Sequence, residues 1–311
     1  MGVAGLSLDL SVRLASLSLR NPTVLASGIL GISASLARRI EAAGAGAFTT
    51  KTVTREPRRG YFNPVFVELE HGYLNAIGLS NPGIDYFKKE LEEMKRTVKI
   101  PVILSVGGST PEEIEYVARQ GAEAGVDALE LNVSCPHVKG MGLEMGDDAE
   151  TVMEIVKRVK AAVGEKPVFV KISPHHRYVE LADAALSAGA DGVVAINTLR
   201  AMSIDIYAKA PVLSNVRGGY SGPAILPVAV RVVYDIYEAV GRVPIIGVGG
   251  VDSWRAAVEL LLAGASAVGI GSAIAAKDLS LFRDVLDGLR QYMRNERFSS
   301  VEEIVGYAHK V

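Results

Sequence analysis

Cysteine is nearly absent from this chain, which has one, Cys135, in 311 residues. A single thiol forms neither an internal disulfide nor a four-cysteine metal site, so it is either a small buried hydrophobe or a reactive group. Its neighbours Asn132, Ser134 and Pro136 are polar or turn-forming, and a glycine-rich stretch at 139–142 follows. A thiol between a strand-like run and a flexible loop is placed for chemistry, which favours the reactive group.

Several other features are missing. The formal net charge is −2 and no long basic tract occurs, which argues against nucleic acid as a partner. The N-terminus lacks the pattern of a signal peptide. The weakly apolar run 260–276 is typical of a buried strand with its flanks rather than of a membrane span. The five histidines lack a metal-ligand spacing, so no metal site is predicted. We expect a soluble, cytoplasmic protein that does not bind membranes.

What the sequence does contain is a short pattern that occurs four times. Each copy follows a helix-like stretch, and its glycine suits a left-handed helix stop. The apolar run after the glycine is typical of a strand that is buried on both faces. The pattern therefore indicates the helix-to-strand joint of a repeating α/β architecture. The copies begin at Ala43-Gly44, Ala124-Gly125, Ala188-Gly189 and Ala263-Gly264.

Eight strand-like and eight helix-like segments alternate along the chain. They predict a (β/α)8 TIM barrel with eight parallel strands, and an open doubly wound sheet is the alternative. No linker-like segment occurs, so residues 1–311 are predicted to form a single domain, with long loops at about 53–83 and 198–223 on the active-site face. The strands are expected at 23–26, 46–50, 101–106, 127–132, 167–172, 191–196, 243–248 and 267–270, and the helices near 32–43, 84–98, 111–124, 148–163, 177–188, 224–240, 252–263 and 279–293.

Polar residues and glycines follow most of the predicted strands. A barrel carries its chemistry at the carboxyl ends of its strands, and charged or amide groups rarely end buried strands by chance. The last two strands end in Gly249-Gly250 and Gly271-Ser272, where barrels often bind phosphate through backbone N–H groups. Each residue alone has a structural explanation, but their coincidence on so many strands favours a site. The other strand-end residues include Ser27, Lys51, Thr52, Asn132, Lys171, Asn197 and Thr198.

Seven motifs lie between Asn21 and Ala224, within a longer matching stretch from about Asn21 to Ser272. They are Asn21-Pro22 with Ala26-Ser27-Gly28, Thr50-Lys51-Thr52-Val53, the run from Asn75 to Gly83, Asn132-Val133-Ser134-Cys135-Pro136, Val170-Lys171-Ile172-Ser173-Pro174, Asn197-Thr198-Leu199, and the run from Gly218 to Ala224. Taken together they are specific. The chain resembles the class 1 dihydroorotate dehydrogenases, flavin mononucleotide (FMN) barrels of pyrimidine synthesis, and is most similar to the class 1B catalytic subunit.

The resemblance implies a role for each site residue. Cys135 is expected to be the base that removes the C5 proton of dihydroorotate, while a hydride passes from C6 to the flavin, and the loop 136–146 is the expected lid. The residues expected to bind substrate are Lys51, Asn75, Ile77, Gly78, Leu79, Asn132, Asn197 and Thr198. Those expected to bind FMN are Ala26, Ser27, Lys51, Thr52, Asn132, Lys171, Ile196, Gly222, Gly249, Gly250, Gly271 and Ser272.

The resemblance also bears on the electron acceptor. Class 1B subunits pass electrons to NAD through a separate subunit that carries FAD and a 2Fe–2S cluster. This chain has one cysteine and cannot ligate such a cluster itself. Such a partner is therefore implied, together with a homodimer core or a heterotetramer, whereas class 1A enzymes use fumarate. His137 stands where the family often has Asn, and Cys-Pro-His with a following Gly-Met-Gly also resembles the pyrimidine-reducing domain of dihydropyrimidine dehydrogenase. A uracil reductase is thus the alternative function, and a non-enzymatic flavin-binding barrel is a third.

Overall fold

The structure is a computed structural model that describes residues 8–133 and 148–310. Eight parallel strands close into a barrel and follow one another around it in chain order. This arrangement confirms the predicted (β/α)8 barrel and excludes the open sheet. The strands are β1 (Thr23–Leu25), β2 (Ala47–Thr49), β3 (Val102–Val106), β4 (Ala128–Asn132), β5 (Val168–Ile172), β6 (Gly192–Ala195), β7 (Ile245–Val248) and β8 (Ala267–Ile270).

The barrel strands form because their residues suit burial on both faces. Every residue of β1, β2, β3, β5, β6 and β8 is buried. Side chains alternate along a strand, so one set fills the barrel interior and the other packs under the surrounding helices. Five polar side chains of the barrel strands are nevertheless buried, and they belong to Thr23, Thr49, Ser105, Glu130 and Lys171.

Eight helices surround the barrel, and each contacts its two neighbours. Ser33, Thr110, Asp148 and Ser253 each precede a helix and accept a hydrogen bond from its first turn. Hydrogen bonds from the hydroxyl and N–H of Thr151 hold the pKa of Asp148 below its usual value. No described helix is long and apolar enough to cross a membrane. The helices are α1 (Ala34–Ala43), α2 (Ile84–Thr97), α3 (Pro111–Glu123), α4 (Ala149–Val163), α5 (Tyr178–Ser187), α6 (Leu226–Val240), α7 (Trp254–Ala263) and α8 (Ser280–Glu296).

The four repeated Ala-Gly joints end helices as the sequence predicts. Gly44, Gly125, Gly189 and Gly264 have φ values of 112°, 85°, 103° and 121°. Glycine adopts these values without the steric cost that a side chain would add. Each joint leads the chain directly into β2, β4, β6 or β8, so the repeats define every second strand of the barrel.

Two of these joints carry an aspartate that connects neighbouring strands. Asp127, at the start of β4, accepts the N–H of Val102 in β3 at 2.7 Å. Asp191, at the start of β6, accepts the N–H of Val168 in β5 at 2.8 Å. Both carboxylates also pair with a lysine of a surrounding helix. These contacts lie at the amino-terminal end of the barrel.

The two connections predicted as long loops contain strands. Their strands form a four-stranded antiparallel sheet, called here the accessory sheet. Phe66–Leu69 and Gly72–Asn75 form a hairpin across a two-residue turn. Gly218–Ser221 pairs with two strands that lie much farther away in the chain, so local sequence patterns do not predict the sheet. Whether residues 1–311 are a single domain stays a prediction. The accessory strands, in sheet order, are Leu199–Ala201, Gly218–Ser221, Gly72–Asn75 and Phe66–Leu69.

Smaller elements complete the fold. A hairpin of Val12–Leu14 and Leu17–Leu19 precedes β1, and its leucines join the main core. A second hairpin pairs Ile204–Asp205 with Ala210–Pro211 in the connection after β6. The short helices are Pro223–Ile225, Ile274–Lys277, Val301–Ile304 and Tyr307–Lys310.

The aspartate joints generate a stability prediction. Asp127→Ala should lower the free energy of unfolding by about 1.5–3 kcal/mol, because it removes hydrogen bonds to a charged group. Ser266 occupies the same position in the fourth joint, and no hydrogen bond of its hydroxyl to another described residue is present. Ser266→Ala is therefore the control and should cost less than about 0.5 kcal/mol. Urea unfolding of the purified variants measures both values, and equal losses would contradict the role of Asp127.

Candidate active site

A cavity of about 980 Å³ opens at the carboxyl ends of the barrel strands. Residues at the ends of seven strands line it, all but β3, and residues of the accessory sheet complete it. In barrels of this kind the carboxyl ends of the strands carry the chemistry. The volume lies in the range of cavities that hold cofactors and small molecules.

The structure brings together every described residue of the predicted site. Cys135, the predicted base, and the predicted lid 136–146 lie outside the described residues. The predicted residues that line the cavity are Ala26, Ser27, Lys51, Thr52, Asn75, Ile77, Gly78, Leu79, Asn132, Lys171, Ile196, Asn197, Thr198, Gly222, Gly249, Gly250, Gly271 and Ser272.

A buried ion pair lies at the bottom of the cavity. Lys171 Nζ on β5 is 3.7 Å from Glu130 Oε1 on β4, and the side chains are 6% and 3% exposed. The ammonium also donates to Ser27 Oγ at 2.9 Å, and Ser105 Oγ donates to Glu130 Oε1 at 3.0 Å. A charge removed from water needs a charged partner and further hydrogen bonds. Each charge of this pair has both.

Hydrogen bonds continue from the ion pair to the other side of the barrel. The hydroxyls of Ser105 and Thr52 are 2.9 Å apart, and Asn132 Nδ2 donates to Thr52 Oγ1 at 3.2 Å. Asn197 Nδ2 donates in turn to Asn132 Oδ1 at 3.4 Å. Each of the six strands β1 to β6 thus contributes at least one side chain to the network, either from the strand itself or from the residues just after it. It fixes how both carboxamides are oriented at the cavity.

The accessory sheet covers the cavity with a polar face. Gly219 pairs in register with Asn75 on one side and with Arg200 on the other, so these residues share a face. Asn75 Nδ2 donates to Gly219 O at 3.2 Å, and all three residues line the cavity. On the opposite face, Leu74 and Leu213 belong to a small separate hydrophobic core.

The ends of β7 and β8 offer backbone donors. In the described part of the chain, the N–H groups of Gly250, Gly271 and Ser272 form no hydrogen bond to another residue. Gly249 and Gly250 have φ values of 130° and 76°. A Cβ at Gly250 would lie 2.6 Å from the Cβ of Leu226, so this loop excludes a side chain. Unpaired N–H groups in a glycine loop are suited to bind phosphate.

The cavity carries more positive than negative charge. Lys51, Lys171, Arg200 and Arg217 line it, and Asp252 is the one acidic residue among its described lining. Asp252 is already paired with a lysine of the short helix after β8, at 3.3 Å. No cluster of His, Cys, Asp and Glu in the described ranges could hold a metal ion. The electrostatics therefore favour an anionic ligand.

Part of the cavity lining is not predicted by the sequence. Tyr61, Phe66, Arg200 and Arg217 line the cavity but come from the two long connections rather than from barrel-strand ends. The alternation of apolar and charged residues around Arg200 is the one local signal for a strand there.

A closed barrel with a polar cavity at its carboxyl end has the architecture of a (β/α)8-barrel enzyme. The family model for dihydroorotate dehydrogenase matches residues 9–293. The chain belongs to the dihydroorotate dehydrogenase family.

The relatives narrow this assignment. The catalytic subunit of dihydroorotate dehydrogenase B (NAD(+)) from Pyrococcus abyssi is 48% identical over 303 residues, which are 97% of this chain and 100% of that subunit. The corresponding subunit from Pyrococcus furiosus is 49% identical over 98% of this chain and 100% of its own length. A protein from Aeropyrum pernix, provisionally named dihydroorotate dehydrogenase A (fumarate), is 45% identical over 97% of this chain and 98% of its own. These similarities confirm the resemblance to class 1B.

A solved structure shares the fold. Dihydroorotate dehydrogenase from Eimeria tenella, in complex with ferulenol, superimposes with a TM-score of 0.84 at 22% identity, over 100% of this chain and 91% of that chain.

The buried ion pair generates a second prediction. Glu130→Gln keeps the shape but leaves the Lys171 ammonium without a charged partner, so the ligand-free chain should lose about 3–5 kcal/mol of unfolding free energy. The double variant Glu130→Leu with Lys171→Met removes both charges and should be more stable than Glu130→Gln. Urea unfolding compares them, with the exposed Glu259→Gln as the control. A double variant as unstable as the single one would show that the charges are not coupled.

Proposed function

We propose that this protein oxidises (S)-dihydroorotate to orotate with bound FMN, in the de novo synthesis of pyrimidine nucleotides. One observation carries the proposal. The described residues expected to bind FMN and orotate all line a single cavity. Membership of the dihydroorotate dehydrogenase family supports the same reaction.

The lining fits FMN. The N–H groups of Gly250, Gly271 and Ser272 form no hydrogen bond to another described residue and suit the phosphate, and the glycines let it approach the backbone closely. The Lys171 ammonium suits the pyrimidine edge of the ring system, where a fixed cation favours extra negative charge. When bound, FMN supplies the hydride acceptor for the reaction.

The cavity also fits orotate. Lys51 is proposed to bind the substrate carboxylate together with the backbone of 77–79. A carboxamide offers both a donor and an acceptor, which matches the amide edges of the pyrimidine ring. The bond between Asn197 and Asn132 orients two of these carboxamides before substrate arrives. The residues proposed to hold the ring are Asn75, Asn132, Asn197 and Thr198.

Cys135 is proposed as the base. It follows Asn132 by three residues and so comes just after β4, one of the strands that end at the cavity. The C5–H of dihydroorotate is weakly acidic, and its removal needs a thiolate held close to it. As the thiolate takes the C5 proton, the hydride leaves C6, and the double bond of orotate forms between C5 and C6.

Electrons are proposed to leave toward NAD through a partner subunit that carries FAD and a 2Fe–2S cluster. Relatives named as NAD(+)-linked catalytic subunits support this route. The chain itself has too few cysteines to ligate such a cluster. Fumarate is the competing acceptor. A homodimer core, a heterotetramer and a cytoplasmic location stay predictions.

The reduction of bound FMN by dihydroorotate, which is the first half of the reaction, tests the proposal. The purified chain, reconstituted with FMN and mixed with dihydroorotate without oxygen, should lose its visible flavin absorbance. Dihydrouracil, which lacks the carboxylate, is the control and should leave the absorbance unchanged. Bleaching by dihydrouracil alone would favour the pyrimidine reductase. A chain that retains no FMN would contradict the proposed cofactor site.

The pH dependence of flavin bleaching in Cys135 variants tests the proposed base. Cys135→Ala should slow bleaching by about 10²–10⁴-fold. Cys135→Ser should recover activity as the pH rises, because a hydroxyl ionises much less readily than a thiol, whose usual pKa is about 8.5. The measurement is the bleaching rate between neutral and alkaline pH. A Cys135→Ala enzyme with the normal rate at neutral pH would exclude the thiol as the base.

A further inference from the structure

Arg217 is a charged residue at the cavity that the proposed reaction does not use. It lines the cavity and is exposed, immediately before the accessory strand Gly218–Ser221. Within residues 8–133 and 148–310, its guanidinium makes no ion pair or hydrogen bond. An arginine that keeps all its donors open beside a ligand cavity can interact with a ligand.

The backbone around Arg217 is held in place by its own contacts. The N–H of Arg217 donates to Asn215 O, and Asn215 Nδ2 donates to Arg217 O at 3.1 Å. Ser214 N donates to Pro64 O at 3.1 Å, which joins this segment to the other long connection. The backbone position of Arg217 therefore does not depend on its side chain, and the described residues leave that side chain exposed at the cavity.

The charges around the cavity allow Arg217 to attract an anionic ligand. Asp252, the one acidic residue among the described lining, is paired with Lys277, and Glu130 is paired with the lining residue Lys171. Among the described residues, no acid forms an ion pair with Arg217, so none of them neutralises its positive charge. A positive entrance raises the local concentration of anions and the rate at which they bind.

We propose that Arg217 is a specificity-determining residue that attracts the carboxylate of the incoming substrate and so favours carboxylated pyrimidines over neutral ones. The inference rests on the proposed function, because it assigns an anionic pyrimidine to the same cavity. Arg217 then acts on substrate capture, so kcat/KM changes while the rate at saturating substrate does not.

The test compares two variants that remove the same charge. Arg217→Gln removes it at the cavity, and Arg13→Gln removes it on the hairpin before β1, at the opposite end of the barrel. The second-order rate constant of flavin bleaching by dihydroorotate is measured from about 0.01 to 0.5 M ionic strength. Arg217→Gln should be roughly three- to tenfold slower at low salt and approach the wild-type rate at high salt. Arg13→Gln should match the wild type throughout.

Two further measurements separate charge from structure. Arg217→Lys should restore most of the rate, because the positive charge remains. Arg217→Gln should weaken binding of orotate but not of its uncharged methyl ester, as followed by calorimetry. The inference is overturned if Arg217→Gln equals Arg13→Gln at low salt, or if its defect persists at high salt and Arg217→Lys does not repair it. A wild-type chain that binds orotate but is not bleached by dihydroorotate contradicts the proposed function instead, and the orotate measurements still decide the role of Arg217.

Discussion

The buried pair of Glu130 and Lys171 is the interaction around which this site is organised. Neither charge is stable alone inside a barrel, so each fixes the position of the other. Lys171 also donates a hydrogen bond to Ser27, and Glu130 accepts one from Ser105. A further hydrogen bond joins Ser105 to Thr52. A cation, two oriented carboxamides and several hydroxyls therefore occupy defined positions before any ligand binds.

The cavity has two parts with different structural origins. The barrel strands provide its floor, which holds the buried network and the glycine loops of β7 and β8. The accessory sheet provides its roof. Asn75 and Arg200 lie on the face of this sheet that lines the cavity, and a small separate apolar core lies on the opposite face. The groups proposed to hold the cofactor belong to the packed floor, whereas those proposed to hold the substrate come from both parts, with Asn132 and Asn197 on the floor and Asn75 in the roof. Such a division lets the entrance change without disturbing the floor.

The sequence predicts the barrel well because its information is local. Ala-Gly joints mark helix ends, apolar runs mark strands, and each predicted barrel strand and helix lies within three residues of its observed ends. The motif residues converge because parallel strands end at one edge. The accessory sheet escapes prediction because its strand Gly218–Ser221 pairs with segments that are far from it in the chain. Arg217 escapes for the same reason, and the partnership of Glu130 with Lys171 needs the register of β4 against β5.

The bond between Asn75 and Gly219 spans 144 residues of chain. A contact of such long range forms late in folding, because the entropy of closing the intervening loop must first be offset by other contacts. Strands β3 to β6 lie inside that loop, so the roof is assembled only after much of the barrel exists. A nascent chain consequently has no finished cavity until it is most of the way through synthesis, and a ligand that needs the roof is captured only by an almost complete molecule.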